Sequence, residues 1–138
     1  MEFVLDNGSI RVALSTAGGS FTSIAANGRE YLWQGDPAVW SGRAPICFPI
    51  CGGLRDGHAT TMGGREVKLA RHGFARKQEW KLEEQSDNMV ALSLSSADHA
   101  ELLEQYPYPF KIVARYTIDA EKVAVSYEVT NEGTEDMP

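Results

Sequence analysis

Alternation of apolar and polar side chains with a period of two runs through most of the chain. Phe3 and Leu5 share one face of a first segment. Asn7-Gly8 supplies a type I′ hairpin signal, and Ile10, Val12 and Leu14 alternate on the return. A second Asn-Gly pair, Asn27-Gly28, separates Ile24-Ala25-Ala26 from Tyr31-Leu32-Trp33. The stretch from Gln34 to Gly64 loses any period, because Pro37, Pro45, Pro49 and seven glycines interrupt it. Regularity returns in Glu66-Val67-Lys68-Leu69, and then in Trp80 and Leu82, which should share one face of an exposed strand. Ser86-Asp87-Asn88 reads as a turn into Val90, Leu92 and Leu94.

One short helix is expected after Asp98, where Glu101 three residues on completes a capping-box pattern and Leu102 and Leu103 form the apolar face. Pro107 and Pro109 end it within about two turns. Two long strands follow. Phe110, Ile112, Ala114, Tyr116 and Ile118 lie on one face of the first, and Val123, Val125, Tyr127 and Val129 on one face of the second. Asp119 to Glu121 form the turn between them. The pattern predicts an all-β protein, an antiparallel β-sandwich with one short helix and an elaborated middle loop.

Composition narrows the class. Of 138 residues 43% are hydrophobic, with three Trp, five Tyr and five Phe, enough apolar area to offset chain entropy in a single core. No apolar run approaches the roughly 18 residues a membrane span needs. The first residues carry neither a basic nor a long apolar signal region, and only two cysteines are present, which places the chain in a reducing cytoplasm. The net charge of −6 is unevenly spread: residues 43–77 hold seven basic groups against Asp56 and Glu66, whereas residues 81–138 hold 4 basic and 12 acidic ones. The acidic total and the few aromatics among the basic residues argue against nucleic acid. The basic stretch is either a solvated face or a site for an oxygen-rich ligand that guanidinium groups can grip.

The candidate chemistry sits in that stretch. Arg43 lies in Ser41-Gly42-Arg43-Ala44-Pro45 just after Trp40, so an indole could stack on a pyranose face while the guanidinium donates to hydroxyls. His72, between Arg71 and Arg76 and before Gly73, is either a loop histidine satisfied by backbone or a group that polarises a sugar oxygen. Cys47 and Cys51 would lie about 13 Å apart if Phe48-Pro49-Ile50 were extended. On that geometry they are buried structural thiols with no disulfide, and a zinc site would have to recruit His58 and His72. His58 and His99 are expected at the surface.

The strings Arg29 to Gly57 (REYLWQGDPAVWSGRAPICFPICGGLRDG), His72 to Arg76 (HGFAR) and Tyr106 to Phe110 (YPYPF), with the turn Gly18 to Ile24, resemble the aldose 1-epimerase (galactose mutarotase) family. The likeness is strongest to its bacterial branch of short mutarotase-like proteins. It implies a galactose-mutarotase-like supersandwich that interconverts the α and β anomers of a free aldohexose by ring opening. A base removes the C1 hydroxyl proton and an acid protonates the ring oxygen, with no metal or other cofactor. By position, Arg43 would bind the sugar near its ring and anomeric oxygens, and His72 would hold and polarise it as an assisting catalytic group. Trp40 and Arg76 would complete the substrate contacts.

The resemblance also carries a departure. In the family, the strand ending in a Thr-Asn pair, here Thr130-Asn131, leads on to a segment with the catalytic acid histidine, and the base glutamate comes later. Residues 1–138 are therefore expected to be one mutarotase-like domain truncated at its C-terminal end. It would lack the principal acid and base, since Glu128 and Glu132 read as surface residues. Two other readings stand beside this one: a hexose-6-phosphate 1-epimerase using Arg55 and Arg76, and a non-catalytic carbohydrate-binding or interaction module. Half a sandwich would leave sheet edges and apolar faces uncovered, so either a homodimer through those edges or poor solubility is expected.

Overall fold

In the computed structural model, which describes residues 1–138, ten strands form two four-stranded antiparallel sheets and one small hairpin. The first sheet runs in the order β1 (Glu2–Asp6), β2 (Ile10–Ser15), β3 (Phe21–Ala26), β4 (Arg29–Glu30). The second has β10 (Lys122–Asn131) at one edge, then β9 (Phe110–Asp119), β8 (Met89–Ser95) and β7 (Lys81–Ser86). β5 (His58–Thr60) pairs with β6 (Glu66–Lys68) inside the long middle segment.

The alternation forecasts the core. Phe3, Leu5, Val12 and Leu14 from the first sheet meet Val90, Leu92, Leu94 and the inward row of β9, Phe110 to Ile118, and all are buried in one cluster. Every such side chain withdrawn from water contributes about 1.5–3 kcal/mol, which is what holds two otherwise separate sheets together. A second part of the same cluster lies under the loops, where Phe48, Phe74, Tyr106 and Phe110 pack ring against ring at 5.0–6.4 Å. That aromatic platform ties the irregular middle segment to the sandwich.

Several local expectations need correction. Asn7-Gly8 is not a two-residue type I′ turn, because Asp6 pairs with Arg11 and only Gly8 has positive φ. The Asn7 carboxamide instead accepts from the Ser9 and Ile10 amides, which stabilises a longer loop. Asn27-Gly28 does form the tight turn: Ala26 pairs with Arg29, and φ is 51° and 72° at the two loop residues. The short helix is a 3₁₀ segment, Ala100–Glu104, whose N-cap is His99 without a side-chain cap bond. Asp98 is drawn away by its ion pair with Lys81, so the capping box never forms. Trp80, just before β7, is buried with its indole N–H donating to Ala75 O at 3.0 Å, whereas Leu82, paired with the buried Leu92, is itself exposed.

A second irregularity matters for the site. Leu14 pairs with Phe21 and Ala13 with Ser23, so Thr22 is an extra residue in β3. The bulge lets Phe21 point inward and leaves the Thr22 carbonyl to accept side-chain donors from the middle loop.

Candidate functional site

Arg43 is placed by that bulge. Its Nη1 donates to Thr22 O at 3.4 Å and to Gln34 Oε1 at 3.5 Å, while Gln34 Nε2 donates to the same carbonyl at 3.3 Å. These long bonds lean the guanidinium against the sheet without using it up. Trp40 is exposed, and its indole lies over Gly42, where a Cβ would come within 2.6 Å of the ring. The ring position thus depends on glycine in Ser41-Gly42-Arg43. Trp33 Nε1 donates to Trp40 O at 2.8 Å and fixes the loop from the other side.

Trp40, Arg43 and Arg76 line one open cleft of about 430 Å³, together with Gly18, Ser20 and Thr22. Two other clefts, one of about 630 Å³ beside Met62 and Met137 and one of about 460 Å³ beside Tyr31 and Val123, exceed it in volume. Volume therefore does not single out the Arg43 cleft; its chemistry does. No carboxylate lies within ion-pairing distance of Arg43, Arg71 or Arg76, whereas Arg65 is spent on Glu135. Unpaired guanidinium groups beside an exposed indole suit a ligand rich in hydroxyl or anionic oxygens.

His72 does not line this cleft. It is joined to it through Arg76, whose Nη2 donates to Arg71 O at 2.9 Å and whose Nε is buried without a partner. His72 itself is clamped. Its N–H donates to Gly52 O at 2.6 Å, and the Gly52 N–H donates to Nδ1 at 2.9 Å. The ring nitrogen facing Gly52 is thus an acceptor, which puts the hydrogen of neutral imidazole on Nε2. His72 also has φ of 67°, a left-handed conformation that a side-chain-bearing residue holds only when its surroundings insist on it. Of the two readings open for His72, backbone satisfaction is therefore present, and it serves to fix the ring in one orientation.

The cysteines differ from expectation. The Cys47 and Cys51 sulfurs and a His72 ring nitrogen lie within 4.8 Å of one another, so residues 47–51 fold back instead of extending. Both thiols are free; Cys47 is half-buried and Cys51 exposed. Burial pushes the Cys47 thiol up, and the neighbouring Cys51 adds to the effect while Arg76 opposes it. His58 stands apart, exposed, with Nδ1 3.2 Å from Asp56 O. Sequence reasoning had no signal for this convergence, because the backbone reversal that creates it is not a matter of residue spacing.

Fold and cleft together define the class: an antiparallel β-sandwich whose polar cleft is built from inter-strand loops and a bulged strand. Comparison with known proteins gives the family. The description of aldose 1-epimerases matches residues 1–138, and the chain belongs to that family. Protein LacX of Lactococcus lactis subsp. lactis, in both its plasmid and chromosomal forms, is 41% identical over 140 residues, covering 98% of this chain and 46% of that protein. Among solved structures, a galactose mutarotase related enzyme from Lactobacillus acidophilus superposes with a TM-score of 0.92 at 28% identity, covering 99% of this chain and 45% of that one. A galactose mutarotase-like protein from Lactobacillus casei gives 0.92 at 25% identity, with 99% and 46% covered. The chain spans about half the length of the curated relatives it matches. No helix in it is long and apolar enough to cross a membrane.

Proposed function

We propose that these residues form the substrate-holding part of an aldose 1-epimerase, which interconverts the α and β anomers of a free aldohexose through ring opening. The observation that carries this reading is the gathering of Trp40, Arg43 and Arg76 around one cleft, beside a conformationally locked His72. In the proposed role Trp40 stacks on the sugar's C–H face and Arg43 donates to its ring and anomeric oxygens. His72 polarises the reacting centre from its fixed orientation. Ring opening needs one proton taken from the C1 hydroxyl and another given to the ring oxygen. The principal acid and base for that exchange are not among residues 1–138; Glu128 and Glu132 are exposed on or just after β10, away from the cleft. The chain acts in the cytoplasm and pairs with a second copy through the uncovered face of β10.

The test is equilibration of freshly dissolved α-glucose or α-galactose, followed by polarimetry or NMR. A protein spanning the full length of the relatives should beat a buffer blank, and residues 1–138 alone should stay near it. A longer protein that bound aldohexose yet never exceeded the blank would move the reading to a non-catalytic sugar-binding module. Rapid catalysis by the 138-residue chain would overturn the assignment of acid and base.

A second reading is favoured by one observation, the absence of carboxylate partners for Arg43, Arg71 and Arg76. It is a hexose-6-phosphate 1-epimerase, with Arg76 and the exposed Arg55 meeting the phosphate. Turnover on glucose and glucose 6-phosphate at two ionic strengths separates the two, because phosphate recognition by exposed arginines weakens with salt.

A further inference from the structure

Cys47, Cys51 and His72 each bring one ligand atom to the same place, and the three atoms lie within 4.8 Å of one another. They come from two loops that are fastened together independently of any ligand. The Gly52–His72 pair of hydrogen bonds joins them on one side. The Phe74 and Ala75 amides, which donate to Phe48 O at 2.9 and 3.3 Å, join them on the other. Neither thiol is consumed in a disulfide, and Cys51 is exposed, so the cluster is open to solvent from one side.

We propose that Cys47, Cys51 and His72 form a binding site for a soft divalent metal ion of the zinc type, with the fourth position left to water. Two sulfurs and an imidazole nitrogen are the donor set that selects zinc-like ions over magnesium or calcium. A tetrahedral zinc ion, with bonds of about 2.0–2.3 Å, holds its donors roughly 3.5–3.8 Å apart. The three donors thus need to draw in by about 1 Å, a shift that side-chain rotation supplies while the His72 N–H to Gly52 O bond and the two bonds to Phe48 O stay closed. On binding, the two thiols release their protons to solvent and become the anionic ligands. The imidazole exchanges the bond it accepts from Gly52 N–H for a metal–nitrogen bond: a metal on Nδ1 takes that lone pair, and a metal on Nε2 moves the ring hydrogen to Nδ1. Metal on His72 would exclude its proposed part in sugar binding, so metal and sugar compete for that group, and metal binding is measured with no sugar present.

The experiment is titration of the reduced 138-residue chain with Co2+ as a spectroscopic probe, followed by displacement with Zn2+. The expected result is one equivalent bound, with thiolate-to-cobalt charge transfer in the near ultraviolet and the visible bands of a tetrahedral ion, both abolished by Zn2+. Cys51→Ser, at an exposed position, and His72→Ala should each weaken Zn2+ binding at least about tenfold, as loss of a ligand costs no less than loss of an outer-shell partner. His58→Ala should change nothing. Alkylation of the wild-type thiols by iodoacetamide, with and without Zn2+, gives a readout independent of how the variants fold, and Zn2+ should protect both cysteines. A missing charge-transfer band, an unchanged affinity in folded Cys51→Ser, or unprotected cysteines would each overturn the proposal.

Discussion

A Cβ placed on Gly73 would lie 2.0 Å from the carbonyl oxygen of Phe48, closer than any side chain tolerates. Gly73 also has φ of 68°, and its segment is bridged to Phe48 in parallel register. Phe48 is in turn the ring around which Phe74, Tyr106 and Phe110 pack. Gly73→Ala therefore combines the left-handed penalty with a backbone clash at the joint between the site loops and the core. The expected loss is about 2–5 kcal/mol, from about 1–2 for the conformation and about 1–3 for overpacking. Urea unfolding monitored by tryptophan fluorescence reads it as a lower midpoint. A midpoint within error of wild type would mean that the loops are not held at this joint.

Arg43→Ala separates binding from folding. The guanidinium makes only long hydrogen bonds to Thr22 O and Gln34 Oε1, so its removal should change stability by no more than about 0.5 kcal/mol. If Arg43 donates to sugar oxygens, aldohexose affinity should fall about ten- to a hundredfold, the worth of a charged hydrogen bond. Isothermal titration on wild type and variant, with a thermal melt of each, checks both halves. Unchanged affinity at unchanged stability would remove Arg43 from the site.

Alkaline pH should destabilise the fold through its buried phenols. Burial pushes Tyr106 up to about 12 and raises Tyr116 further. Tyr116 Oη donates to Gly19 O at 2.5 Å and Tyr106 Oη to Pro138 O at 2.8 Å, bonds that the ionised forms cannot make. In the unfolded chain these phenols ionise near pH 10, so above that value the unfolded state has released protons that the folded state retains. Stability is then fully present below pH 10 and falls as pH rises, by on the order of 2 kcal/mol for Tyr106 alone by pH 12. Denaturant midpoints between pH 8 and 12 would show this, and Tyr106→Phe should flatten the decline. A flat profile in the wild type would contradict the burial argument.

How much of this was legible in the sequence depends on whether a feature follows from local period or from register. The β9–β10 hairpin was readable because five alternating apolar side chains leave one arrangement, and the buried row from Phe110 to Ile118 matches it. Trp80 and Leu82 obey the same period, yet one is buried and the other exposed, because cover by the rest of the fold is not a matter of period. Of the four residues expected to hold a substrate, Trp40, Arg43 and Arg76 line one cleft and His72 does not. The reason Arg43 sits where it does, the extra residue Thr22 in β3, was not legible. The thiol pair was misjudged because an extended backbone was assumed across Cys47 to Cys51, where the chain in fact turns back.

Strand β10 continues the inward face of the second sheet past the cover of the first. By register, Val125, Tyr127 and Val129 sit opposite Tyr116, Ala114 and Ile112, which are buried. Yet the three on β10 are 39%, 55% and 45% exposed, because no strand of the first sheet lies over them. The outer edge of β10 also has no strand partner, so an apolar stripe and a row of free backbone groups lie side by side. Such a surface is a template for association, and a second copy of the chain offers the same stripe in return. The 15.2 kDa chain should therefore show a concentration-dependent shift toward twice its mass in sedimentation equilibrium. Val125→Lys combined with Val129→Lys puts charges on the stripe at exposed positions and should hold it as a monomer without lowering its melting temperature at low concentration. A wild-type chain that stays a single, soluble monomer at its highest attainable concentration would show that the stripe drives no pairing.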